Sequence, residues 1–402
     1  MKNTKTKRKS LSPAVRAANA LTAQWCTRLG SGDFALSGAG LWPLLALLAS
    51  AADEQAGAEL TTALGRPAES GQQDALELIE ILRGGVSTTA ALGVWMRKGI
   101  PLDERWAAGL PEGVVRALTD QAALDRWASE ETGGLIEEFP LEVTAGIVLI
   151  LASALAARVK WRNPFDASPR GSRVSWDDPG EPDQQWLSRT TYDLAEAAVL
   201  DGAVTRIVVE GDGDVDVHLL LGDQQPAEVL AAGLRELAGE AEVRSAAESA
   251  GPGLNVRRVP SSSRRDILGL RVPSFAITSR HDLMEHDELF GLRLVADPRT
   301  SHLPHLSPVP LFVSDGAQDV LARFFAEGFE AAAITAFDLA VTGMPPDELY
   351  EVTFVEATFD RPFGFIAVHR PSRLAVVAGW VSSPFEPSEQ DGEPAVPSDI
   401  SL

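Results

Sequence analysis

The ten residues Glu327-Gly328-Phe329-Glu330-Ala331-Ala332-Ala333-Ile334-Thr335-Ala336, late in the chain, constrain its fold more than any other stretch. Two local structures suit them. Alanine is the best helix former, which favours a helix tail. In a strand, alternate residues share a face, so Phe329, Ala331, Ala333 and Thr335 line one side, and three of the four are small. Such a strand is shaped to slip between two others. The chain beyond it favours the strand. A long turn-rich segment leads to two apolar runs, Phe363 to His369 and Leu374 to Val381, joined by Arg370-Pro371-Ser372-Arg373. That is the pattern of a buried hairpin.

With 402 residues, 45% of them hydrophobic, the chain can bury a large core. Ser261-Ser262-Ser263 and the small residues around Gly251-Pro252-Gly253 read as loops, and no linker divides the middle. One domain over 13–387 is expected, between a basic disordered tail at 1–12 and an acidic disordered tail at 388–402. The net charge of −22 argues against nucleic acid and against anionic membranes, both of which need a basic surface. Lys2, Lys5, Lys7, Arg8 and Lys9 cluster at the start, but no apolar stretch follows, so a secretory signal is not expected. A soluble, cytoplasmic monomer is the expectation. Cys26 is the only cysteine, which rules out an intrachain disulfide; its helical spacing with Leu21 and Leu29 suggests a buried structural thiol.

Apolar spacing of three and four predicts helices over 13–30, 40–52, 55–64 and 72–83, then 121–137 and 226–238. Val86 to Met96 reads as a strand. The runs 204–210 and 215–221 flank Gly211-Asp212-Gly213-Asp214 and predict a hairpin. The apolar run 143–157 fits helix or buried strand, and periodicity does not choose. Helices early and strands late indicate α+β architecture.

The candidate chemical sites are weak. Asp212, Asp214 and Asp216 alternate as in a calcium loop, but the twelfth position is Asp223 rather than glutamate and both flanks are strands. His302 and His305 lack an acidic or cysteine partner at ligand spacing, and His281 and His286 are as isolated. There is no G-x-S-x-G elbow, P-loop or H-E-x-x-H. No enzyme site, metal or cofactor is expected.

Several segments, in order, resemble the serpin family of serine protease inhibitors. Phe359-Asp360-Arg361-Pro362-Phe363 and Gly379 to Pro384 are similar to the family's F-x-R-P-F-like segment and closing strand. Leu149 to Asp166, with Lys160-Trp161 and Pro164-Phe165, resembles its central-sheet strand. Val272-Pro273-Ser274-Phe275-Ala276-Ile277 with Asp282-Leu283 resembles L-P-K-F-x-I…D-L, and Phe34 to Gly40 resembles F-x-x-S-P-x-S. The resemblance implies a large mixed central β-sheet with further sheets, eight or nine helices and a mobile reactive-centre loop over about 328–352. It also resolves 149–157 as strand.

The same resemblance implies a mechanism. The protease cleaves the exposed loop and stays attached as an acyl-enzyme, while the loop inserts into the central sheet; this insertion is itself a worked example of strand addition. It makes Glu327, Gly328, Phe329, Glu330, Ala331, Ala332, Ala333, Ile334 and Thr335 the hinge. It places Trp161 at the breach, where insertion starts, and Ser37, Gly40, Ser153 and Gln318 at the shutter beneath the opening strands. Counting from Gly328 puts the scissile bond at Thr342–Gly343. With Ala340 and Val341 before it, and no Arg or Lys from Glu330 to Phe359, an elastase-like or subtilisin-like protease is the expected partner.

The sequence also departs from the family. Phe329 replaces a small inward residue, and a ring in that place is expected to overpack, at about 1–3 kcal/mol. Ala326 and Ser274 stand where the family pairs Glu with Lys. Gly40, Ser153 and Gln318 replace the usual Ser, Asn and His, which thins the shutter network. The loop is long, 34 residues from Gly328 to Pro362. A non-inhibitory serpin-like protein, cleaved as substrate or acting as a binding module, is therefore the alternative, with an extracellular location the alternative compartment.

Overall fold

A computed structural model describes residues 10–144, 146–167, 186–329 and 349–383. The loop positions Glu330 to Glu348, with the expected bond at Thr342–Gly343 and most of the expected hinge, lie outside them, as do residues 1–9 and 384–402 of the two tails.

The chain opens with helix α1 (Pro13–Cys26), strand β1 (Phe34–Leu36) and helices α2 (Gly38–Ala51), α3 (Glu54–Leu64) and α4 (Gly71–Arg83). Each start has a local cause. Ser12, Ser37 and Asp53 accept hydrogen bonds from the first-turn amides of α1, α2 and α3, and Gly65, at φ 63°, stops α3. Helix α2 is apolar almost all round and is accordingly buried. Then come β2 (Thr88–Met96), α5 (Glu104–Ala108), β3 (Val115–Ala117), α6 (Gln121–Thr132), β4 (Leu149–Ala157), β5 (Val159–Lys160), β6 (Asp166–Ala167) and β7 (Trp186–Thr191). Helix α6 ends five residues before the expected 137, because Gly133 takes the left-handed conformation at φ 63°. The apolar run from 143 becomes strand only at Leu149.

Strands β8 (Ala197–Leu200), β9 (Val204–Val209) and β10 (Val215–Leu221) precede α7 (Pro226–Ala238), β11 (Val243–Ser245), β12 (Leu254–Ser261), β13 (Ile267–Pro273), β14 (Phe275–Asp282) and α8 (Asp287–Phe290). The last strands are β15 (Ala317–Phe324), β16 (Gly328–Phe329), β17 (Tyr350–Thr358), β18 (Phe363–His369) and β19 (Leu374–Val381). Strand β17 takes in Tyr350, Glu351 and Val352, so the expected loop boundary near 352 moves back to Leu349.

A seven-stranded antiparallel sheet in the order β1-β19-β18-β10-β9-β8-β11 forms the inner layer. Strands β18 and β19 are buried along their whole length, as the continuous apolar runs require. A five-stranded sheet, β12-β17-β13-β7-β6, lies at one end, with β17 parallel to β13. The remaining strands make the central layer in two hydrogen-bonded groups, β3-β2-β4 and β14-β15-β16-β5. Helix α6 covers the first group, where Trp127 meets Trp95 edge-on at 6.0 Å over Ile150, Ala152 and Ala154. Among the described residues, no helix is long and apolar enough to cross a membrane.

Candidate functional site: a parted central sheet

Strand β4 pairs along its full length with β2, from Thr88 opposite Ala157 to Met96 opposite Leu149. Strand β15 pairs likewise with β14, from Phe275 opposite Phe324 to Asp282 opposite Ala317. Their other edges face each other and, among the described residues, do not pair. Between them lies a cavity of about 150 Å³, lined by Leu151 to Ala157 on one side and Ala317 to Leu321 on the other. Leu41 and Val377 form its floor, and Phe329 lies at its head. A second cavity of about 370 Å³ continues the gap past Leu149 and Val313. The burial of β4 records the gap. Ile150, Ala152, Ala154 and Ala156 are buried, whereas Leu149, Leu151, Ser153 and Leu155 are only half-buried. Strand β4, the expected central-sheet strand, pairs with β2 on one edge, and its other edge is unpaired among the described residues.

Among the described residues, the layer is joined only at its head. Gly328 and Phe329 pair with Lys160 and Val159 on one side, and Phe329 pairs with Phe324 on the other. A Cβ on Gly328 would lie 2.1 Å from Val159 O, so only glycine allows this approach. Trp161 pins the turn before it. Its indole N–H donates to Phe325 O at 2.9 Å, its amide donates to Glu327 O at 3.0 Å, and its ring lies 5.0 Å from that of Phe324. Phe165 N–H donates to Ala326 O at 2.8 Å. Phe329 is 1% exposed, with its ring 6.2 Å from Phe365. The ring is thus already packed against the inner layer in this state.

Ser37, Gly40, Ser153 and Gln318, four positions separated in sequence, come together in one network. Ser37 Oγ donates to Val376 O at 2.6 Å and accepts from Gly40 N–H at 3.0 Å. Gln318 Oε1 accepts from Ser37 N–H at 2.8 Å, and its Nε2 donates to Ser37 O at 3.0 Å. Ser153 Oγ donates to Gly40 O at 2.6 Å. Each side of the gap is therefore tied to the start of α2. Val159, Phe324 and Phe325, which with Lys160 hold the head, were not singled out from the sequence. Their signal was the adjacent Trp161 and Phe165, whose backbone and ring contacts fix that turn.

The other candidates have structural roles. Asp214 accepts from Val86 N–H and Ser87 N–H, and Asp216 receives Arg370 through Nε at 2.7 Å and Nη2 at 2.5 Å. His302 Nδ1 lies 2.8 Å from the Asp53 carboxylate that caps α3. Burial pushes the Cys26 thiol up to about 12, which makes it inert. Among the described residues, no cluster of three or more His, Cys, Asp or Glu is placed to hold a metal ion.

No protein-family model matches the chain. It is 24% identical to serpin-Z2B of Oryza sativa subsp. japonica, over 86% of this chain and 89% of that one. It is also 24% identical to the leukocyte elastase inhibitor of Bos taurus, over 65% and 66% of the two chains. Its fold superposes on the thermophilic serpin tengpin in the native state with a TM-score of 0.69, covering 94% and 96% of the two chains at 15% identity. Thyroxine-binding globulin in complex with thyroxine matches with a TM-score of 0.68, over 93% and 99%, also at 15% identity. The ordered motifs, the sheet architecture and these relatives together make the chain similar to the serpins, whose fold it shares at low sequence identity.

Proposed function

We propose that the protein inhibits a serine protease by loop cleavage, acyl-enzyme trapping and insertion of the loop between β4 and β15. The observation that carries this reading is the two facing edges that, among the described residues, do not pair with each other across the gap. A strand entering there would hydrogen-bond on both sides and fill the cavities, so the uncleaved fold withholds stability that it can later gain. Gly328 and Phe329 already sit at the head of that path, and Glu330 to Thr335 continue it in sequence. The small residues Ala331 and Ala333 suit the inward positions.

The loop reads as cleaved at Thr342–Gly343, by an elastase-like or subtilisin-like enzyme with a small specificity pocket. The relation to a leukocyte elastase inhibitor supports that class. The protein would work as a cytoplasmic monomer without cofactor. A second reading, a family member cut as a plain substrate or acting as a binding module, draws on the likeness to thyroxine-binding globulin. It also draws on the tethers from Ser153 and Gln318, which hold both lips to α2.

Incubation with a panel of small-pocket serine proteases separates the readings. The inhibitor reading expects a covalent complex, stable on a denaturing gel, at the summed mass of the two proteins. Complete cleavage with no such band favours the second reading.

A further inference from the structure

The chain carries a net charge of −22, yet residues 254–271 hold five arginines against one acid, Asp266. These arginines, Arg257, Arg258, Arg264, Arg265 and Arg271, are all exposed, and they lie on or beside β12 and β13 of the five-stranded end sheet. Four of the five rest over aromatic rings of the same region. Arg257 lies 4.6 Å from the centroid of Phe354, Arg264 4.5 Å from Tyr350, Arg265 4.0 Å from Tyr192 and Arg271 5.3 Å from Trp186. A guanidinium held over a ring loses little freedom when it meets a carboxylate, and its planar fork suits bidentate pairing. The fifth, Arg258, donates to Glu351 O at 2.7 Å and to Thr353 Oγ1 at 3.1 Å.

The place of this cluster matters as much as its charge. Strand β17, which supplies Tyr350 and Phe354, is where the chain returns from the 330–348 segment, and Tyr350 is opposite Ser261 of the edge strand β12. The arginines therefore border the exit of the proposed reactive loop. We propose that this arginine-bearing sheet is the docking surface for the body of an acidic protease whose active site engages the loop. The proposal rests on the reading of 330–348 as the loop a protease attacks. An acidic enzyme is repelled by a body of charge −22 and attracted at this patch, so the field orients productive encounters toward the loop. A protein partner suits the patch better than a polyanion. Exposed Val256, Tyr192 and Leu349, and the acids Glu351 and Glu356, are interspersed with the arginines, and Glu356 pairs with Arg257 at 2.9 Å, so Arg264, Arg265 and Arg271 carry most of the patch's available charge. Mixed Arg, Tyr and apolar groups are typical of protein interfaces, whereas a polyanion needs an uninterrupted run of cations.

The test uses the full chain and a small-pocket serine protease with a strongly acidic surface. The second-order rate of attack on the loop is measured as loss of intact chain, whether the product is a complex or a cleaved chain. Changing Arg257, Arg264, Arg265 and Arg271 together to Gln should slow attack about tenfold at low ionic strength, and the difference should nearly vanish in about 1 M salt. The same four positions changed to Lys keep the charge but lose the planar fork and the ring contact, so their rate should lie between those of wild type and the Gln variant, which separates lost charge from a folding defect. The division between complex and cleaved chain should not change, so a failure of trapping is read separately from a failure of docking. Equal rates for wild type and the Gln variant at low salt overturn the proposal. So does a Lys variant as slow as the Gln variant, and so does an unchanged protease rate combined with arginine-dependent retention on a sulfated polysaccharide. If no protease cuts the 330–348 segment, the reading of that segment fails and the docking proposal falls with it.

Discussion

At the scale of single residues, Phe329 shows how far a sequence motif can be trusted. Against the family pattern it reads as an obstacle, a ring where a small residue enters the sheet. In the fold it is fully buried beside Phe365 and Phe324, so it belongs to the core before any cleavage. Phe329→Thr should therefore destabilise the uncleaved protein by about 3 kcal/mol through cavity formation. A melting temperature raised by the substitution would restore the overpacking view. Gln318 joins β15 to α2 with two hydrogen bonds to Ser37. Gln318→Ala should cost about 1–3 kcal/mol and hasten any spontaneous entry of the loop, seen as a slow drift on standing toward a form that resists cleavage of the 330–348 segment. Unchanged stability and lifetime would show that this tether holds nothing.

Histidine sets the acid limb. Burial, reinforced by the nearby Arg206, lowers His218 from 6.5 to about 3. Burial also lowers His281 and His369, against the opposing pull of Asp214 on His369. His218 therefore stays neutral in the fold down to about pH 3 but takes up a proton once the chain unfolds. Unfolding then binds more protons below pH 6.5, and stability falls as pH drops toward 3, by about 1.4 kcal/mol per pH unit for His218. Denaturant titrations at about pH 7.5 and about pH 5 should show His218→Gln losing about one proton's worth less stability than wild type on acidification. Parallel losses in both proteins would remove His218 from the account.

At the scale of elements, legibility followed locality. Helix α7 at Pro226–Ala238 and the β9–β10 hairpin could be read from periodicity and the Gly-Asp turn, because neighbouring residues cause both. Strand β4 could not, since Leu149 to Ala157 is apolar almost throughout and only its pairing with β2 separates strand from helix. The family motif, not the period, settled it. The shutter residues were named from motif positions. Their actual geometry, with both lips tied to α2, depends on contacts between residues as distant as Gly40 and Ser153 and was invisible in the sequence. The division of the central layer is likewise a long-range property. It follows from which edges lack partners, not from any local signal.

At the scale of the whole molecule, the proposed function requires a fold with room for one more strand. Two paired groups are joined at Val159 and Phe329 and parted below, and a strand's worth of small residues follows that junction in sequence. The most direct test is the melting temperature before and after the 330–348 segment is cut by a protease, with the cut mapped by mass spectrometry. If the gap accepts the released segment, a new strand pairs on both sides and fills the cavities, and the melting temperature should rise by roughly 10 °C or more. A cut protein that melts at or below the temperature of the intact one would contradict insertion between β4 and β15.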